Sequence, residues 1–124
     1  MTHEQIKVLR FHLATGLPIR PFPEFHPEDA GLRAALLEEE MEELHEAQDE
    51  RDIIKIADAL GDLLYVVYGT AITYGIDLEP IFDEIHRSNM SKVRGGVIRR
   101  ADGKILKGPH YFPPNLADEI AGQK

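Results

Sequence analysis

Eleven of the 22 acidic residues fall between Glu38 and Asp62, in two blocks whose spacing suits helices: Glu38-Glu39-Glu40-Met41-Glu42-Glu43, then Asp58-Ala59-Leu60-Gly61-Asp62. On an α-helix, residues three and four apart share a face, so Glu39 and Glu43, Glu40 and Glu43, and Asp58 and Asp62 can each aim their carboxylates in nearly one direction. Like charges so placed repel by about a few tenths of a kcal/mol per pair. Crowding them is mildly unfavourable unless a cation sits between them. Mg²⁺ and Mn²⁺ take oxygen ligands and typically bridge carboxylates to substrate phosphates. The competing reading is a solvated acidic face.

Position on the helical wheel separates these acids. At roughly 100° per residue, Leu36, Leu37, Met41, Leu44 and Ala47 form one apolar arc, and Glu40 falls inside it. Glu39 and Glu43 lie on its border, whereas Glu38 and Glu42 point away. An acid within an apolar stripe needs a partner, which makes Glu40 the least decorative of the set.

With 124 residues, the chain is read as one domain over 1–124 that buries a modest core, which leaves association between subunits open. A charged fraction of 29% and an apolar fraction of 43% describe a folded, soluble protein. The net charge of −8 argues against non-specific nucleic-acid binding. Without cysteine there are no disulfides, thiol nucleophiles or cysteine metal sites. The six histidines show no H-E-x-x-H spacing, which argues against zinc. No basic leader precedes an apolar core, and the most apolar run, Leu60 to Ile76, is interrupted by Asp62 and short for a bilayer. No membrane and a cytoplasmic location are expected.

In chain order, Thr2 caps a first helix with Gln5 three positions on, and Ile6, Leu9, Phe11 and Leu13 give a patchy apolar face that ends at Gly16. Pro18, Pro21, Pro23 and Pro27 then favour an extended strap with Phe22 and Phe25 as anchors, either covering a base or pinning the loop to the core. A second helix starts at Pro27 and runs to about Glu50. After a break near Arg51-Asp52, a third helix to Tyr74 is apolar nearly all round, so it should be central. Asp58 and Asp62 project opposite its densest apolar arc, in a stripe continued by Tyr65, Gly69 and Ile72 that is placed against another helix or subunit. Gly61 and Gly69 cost roughly 1 kcal/mol each mid-helix, which points to a close neighbour there. Gly75 ends this helix, and a fourth follows from Asp77-Pro80 to about Ser91. From about residue 91 the chain becomes a loop-rich basic tail, with Val97-Ile98 and Ile105-Leu106 placed for a small hairpin. Its cations serve either as a phosphate clamp or as a charge match to the acidic helices. The expected fold is all-α, a bundle of about four helices per chain.

The ordered motifs resemble the MazG-like, all-α nucleoside triphosphate pyrophosphohydrolases, a superfamily that includes phosphoribosyl-ATP pyrophosphohydrolases and dimeric dUTPases. Its signature is E-x-x-E followed on the next helix by E-x-x-D. The likeness is carried by Phe11-His12 to Gly16, Leu37 to Glu43, Asp58 to Gly69, His86-Arg87-Ser88-Asn89-Met90-Ser91-Lys92, and Asp102-Gly103-Lys104 to Lys107. It is greatest to the small dUTPase-like branch. The resemblance implies an intertwined homodimer with sites near the subunit interface. It also implies metal-dependent hydrolysis between the α and β phosphates of a (deoxy)nucleoside triphosphate, dUTP or another non-standard dNTP first among them, giving NMP and pyrophosphate.

Carried over by position, Glu39, Glu40, Glu43 and Asp62 hold Mg²⁺ or Mn²⁺, and Asn89 and Lys92 contact nucleotide. Ala59 stands where the family has the first glutamate of E-x-x-D. Asp58, within about 40° of Asp62 on the wheel, is the replacement ligand. Glu40 is nominated as general base, and Lys92, Lys104 and Lys107 as cations facing the leaving pyrophosphate. The rival reading is a non-catalytic dimeric module that binds nucleotide or a partner.

Overall fold

The strongest local signals sit at the helix ends, and they set the element boundaries. In the computed structural model, which describes residues 1–124, α1 spans His3–Thr15, α2 Pro27–Asp49, α3 Ile53–Tyr74, α4 Leu78–Lys92 and α5 Leu116–Ala121. The chain is all-α, four of the helices are substantial, and Arg99 and Ile105 form an isolated antiparallel bridge. The Gln5 N–H donates to Thr2 Oγ1, and Gly16 closes α1 in the left-handed region at φ 74°. Asp52 caps α3 by accepting from the Ile54 and Lys55 N–H groups at 3.0 and 3.2 Å, directly after Arg51 turns the chain at φ 55°. The residues form two compact units, Met1–Asp77 and Leu78–Lys124.

In the first unit, α3 packs against both α2 and α1. The facing seams have the alternating three- and four-residue spacing of helices in shallow-angle contact. On α2 the seam runs Arg33, Leu36, Glu40, Glu43, Ala47; on α3 it runs Ala59, Asp62, Val66, Gly69, Thr73. Ala47, Ala59, Gly69 and Thr73 are buried. Small residues bring the two backbones together, and Gly69 is the tightest point. A Cβ there would lie 2.5 Å from Arg33 Nη2 and 3.0 Å from His12 Nε2. Gly69 thus has the close neighbour expected of it, whereas Gly61 has nothing of this chain within 4 Å.

The stripe of Asp62, Gly69 and Ile72 packs inside the chain as expected, whereas the expected enclosure of α3 on all sides is corrected. Ile53, Leu60, Leu64 and Val67, members of its densest apolar arc, are exposed, and the polar stripe is the one packed inside the chain. The helix carries two seams and this chain covers one. At 22 residues α3 is also long and apolar enough by composition to cross a membrane, longer than the Leu60 to Ile76 run suggests. On α1 the buried residues are Gln5, Val8 and His12, while Phe11 and Leu13, expected on its apolar face, are exposed.

Backbone groups hold the proline strap, with one ring beside them. The Arg20 and Glu24 N–H groups donate to Ile72 O and Tyr74 O, carbonyls in the last turn of α3. Pro23 is buried, whereas Phe22 and Phe25 are exposed; Phe25 stacks on Tyr74 at 5.8 Å. Gly75, at φ 73°, allows the strap to pass, because a Cβ there would collide with the Phe22 carbonyl.

In the second unit the tail is tied along α4. Ser88 Oγ donates to Phe112 O at 2.8 Å, the Phe112 N–H donates to Ser91 Oγ at 3.1 Å, and both serines are buried. Arg87 pairs with Glu84 at 2.7 Å and lies 4.5 Å over the Phe112 ring. Leu106 N–H donates to Ile98 O and Arg100 N–H to Lys104 O, so the expected hairpin exists as a single bridge around Asp102-Gly103. The Asn115 side chain caps α5.

Candidate active site

Glu40 and Glu43 lie one turn apart on α2, and Asp62 faces them from α3. One carboxylate oxygen from each falls within 4.8 Å of the others. Glu40 is half-buried as its wheel position requires, and its Oε2 is sealed from solvent without a hydrogen-bond partner. Burial, followed by a hydrogen bond with Glu43 and the charges of Glu43, Asp62 and Asp58, holds the Glu40 carboxyl above the usual carboxylate range. Asp62 is raised too, first by burial and then by Asp58 and Glu43. Neither acid gains a cationic side chain of its own: the Arg33 guanidinium, 5% exposed, is spent on Thr70 Oγ1 at 3.1 Å and Val66 O at 3.0 Å.

The donor set fits a hard divalent cation. Three oxygens converge, and one of them is an orphaned buried atom whose missing partner a cation would supply. Glu39 and Asp58 are exposed and stand outside the group of three, although the Asp58 charge reaches both Glu40 and Asp62. Ala59 is 1% exposed, on the same face as Asp62 one turn away, so the departure from E-x-x-D falls at a packed position. In the second unit Asn89, Lys104 and Lys107 are exposed, Lys92 is half-buried, and Lys107 lies 4.8 Å over the Tyr111 ring.

Sequence reading passed over His12 and Arg33, two buried polar side chains beside Gly69. Arg33 was visible as the start of the three-four series that leads through Leu36 to Glu40. His12 had only its spacing from Gln5 and Val8 to mark it.

Carboxylates gathered across an antiparallel helix pair in this way suit a hard divalent cation. Residues 8–89 match the phosphoribosyl-ATP pyrophosphohydrolase family, and the chain belongs to that family. A 54-residue stretch is also 44% identical to the uncharacterized protein L479 of Acanthamoeba polyphaga mimivirus. That stretch is 44% of this chain and 22% of the viral protein, so the chain spans about a fifth of the relative's length.

Proposed function

We propose that this protein is a divalent-cation-dependent nucleoside triphosphate pyrophosphohydrolase, cleaving between the α and β phosphates of dUTP or another non-standard dNTP to yield NMP and pyrophosphate. The observation that carries the reading is the convergence of Glu40, Glu43 and Asp62 around an orphaned carboxylate oxygen, in a chain of a pyrophosphohydrolase family. Glu40, Glu43 and Asp62 would hold Mg²⁺ or Mn²⁺, with Asp58 and Glu39 as further carboxylates at the rim. When bound, the ion supplies Lewis acidity and a template for the triphosphate.

The chain's own groups have distinct tasks. Glu40 receives the proton of the attacking water, a role suited to a half-buried acid whose proton affinity is raised. Asn89 and Lys92 contact the nucleotide, and Lys92, Lys104 and Lys107 offset charge on the departing pyrophosphate. A homodimer places a second copy on the open seam of α3, where Leu60, Leu64 and Val67 are exposed. The protein works in the cytoplasm, with neither membrane nor nucleic acid as partner.

A pyrophosphate-release screen over common and modified triphosphates, with and without Mg²⁺ or Mn²⁺, tests this reading. Metal-dependent pyrophosphate from at least one dNTP is expected; orthophosphate as the product would contradict it. Ala59 favours one second reading, a nucleotide-binding module without turnover, for which binding without product is the signature.

A further inference from the structure

The mechanism above leaves two nearly fully buried polar side chains unused. His12 is 2% exposed and Arg33 5%, and both meet over Gly69 at one end of a recess of about 110 Å³ lined also by Phe11, Leu36, Tyr65 and Val66. The recess lies wholly within the first unit. Its position is set by helix register. Leu36 is one turn from Glu40 towards the start of α2, and Val66 is one turn from Asp62 towards the end of α3. Because these helices run antiparallel, both steps lead the same way, and the recess opens about 5.4 Å along the helices from the carboxylates. That offset is the separation a sugar imposes between a base and its phosphates.

The chemistry of the walls is specific. His12 Nδ1 lies 2.8 Å from Pro18 O, and a carbonyl only accepts, so Nδ1 carries the proton. In the neutral ring Nε2 is then an acceptor, and it has no partner within the chain. Arg33 uses Nε and Nη2 on Thr70 and Val66 and has further N–H groups to donate. A ligand entering here meets one acceptor and one donor side by side, between apolar walls. Phe11 and Tyr65 stand edge to face at 5.5 Å and offer aromatic surface at the recess.

Volume limits the occupant. The recess, about 110 Å³ and open on one side, is smaller than the enclosed cavity of about 150 Å³ that holds benzene, so a six-membered ring seats there with one edge in the opening and a purine protrudes further. Resting on the proposed triphosphate reading, we propose that this recess is the base subsite, that it admits a pyrimidine, and that His12 Nε2 and Arg33 read an adjacent donor and acceptor on the ring's edge. Gly69 is needed there because a side chain would take the space the two reading groups occupy.

The test uses nucleosides, which carry no phosphate and need no metal, so it stands even if no triphosphate is hydrolysed. Deoxyuridine and deoxycytidine are titrated into the uniformly ¹⁵N-labelled protein while the His12 Nε2 resonance is followed. Both should shift it, and deoxyadenosine and deoxyguanosine should not. A nucleoside whose base is difluorotoluene, the shape of thymine without its hydrogen-bonding edge, should bind at least about tenfold more weakly than thymidine. Purines that bind as well as pyrimidines, an unmoved His12 signal, or undiminished affinity for the isostere would each overturn the assignment. A negative triphosphate screen beside a positive titration would remove the hydrolase reading alone.

Discussion

Glu40 lies in an apolar stripe and beside three acids, so its behaviour without metal is a direct consequence of its surroundings. Its carboxyl is raised by burial first and by Glu43, Asp62 and Asp58 after that. An acid whose pKa is higher folded than unfolded adds stability that is complete below the unfolded value and lost as pH rises through the folded one. In chelator, the melting temperature should therefore fall between mildly acidic and neutral pH. Glu40→Gln should flatten that slope and melt higher than the wild type at neutral pH, while losing any rise on Mn²⁺ addition. A Gln variant with the wild-type slope would contradict the assignment. At Ala59 the expectation reverses: Ala59→Glu places another acid at a packed position beside Asp62. It should destabilise the metal-free protein by about 1–3 kcal/mol in urea titrations, and Mn²⁺ should recover part of the loss.

At the scale of elements, the helix ends were legible because their signals are local: Thr2, Gly16, Asp52 and Gly75 each act within one turn. The inner face of α2 was legible through Glu40, since a lone acid among Leu36, Leu44 and Ala47 marks a site. The inward side of α3 was legible in the stripe of Asp62, Gly69 and Ile72, but its enclosure was overestimated because apolar density was taken as a sign of a central helix. Inside this chain the contact is made by Ala59, Gly69 and Thr73, which let backbones and the Arg33 guanidinium approach, and density marks the face left open. The strap was legible in part: Phe25 anchors it on Tyr74 as its ring suggests, whereas its N–H bonds to α3, which every residue but proline can make, left no mark in the sequence. Gly75→Ala tests that hold. It combines a left-handed backbone with a collision against the Phe22 carbonyl, so a loss of about 1–3 kcal/mol is expected by chemical denaturation. A neutral result would mean that the strap is not fixed there.

For the whole molecule, the proposed homodimer rests on the few buried apolar residues and the exposed second face of α3. The chain should sediment at twice its 14.0 kDa mass. Leu64→Glu, on the exposed arc, should shift it to the monomer in analytical ultracentrifugation; a variant that remains dimeric would place the interface elsewhere. The site itself is tested most directly by calorimetric titration of Mn²⁺ into the wild-type protein and Glu40→Gln. The account predicts at least one ion bound per chain, and affinity at least about tenfold weaker in the variant. Equal affinity in the two proteins, or no binding by the wild type, would contradict it.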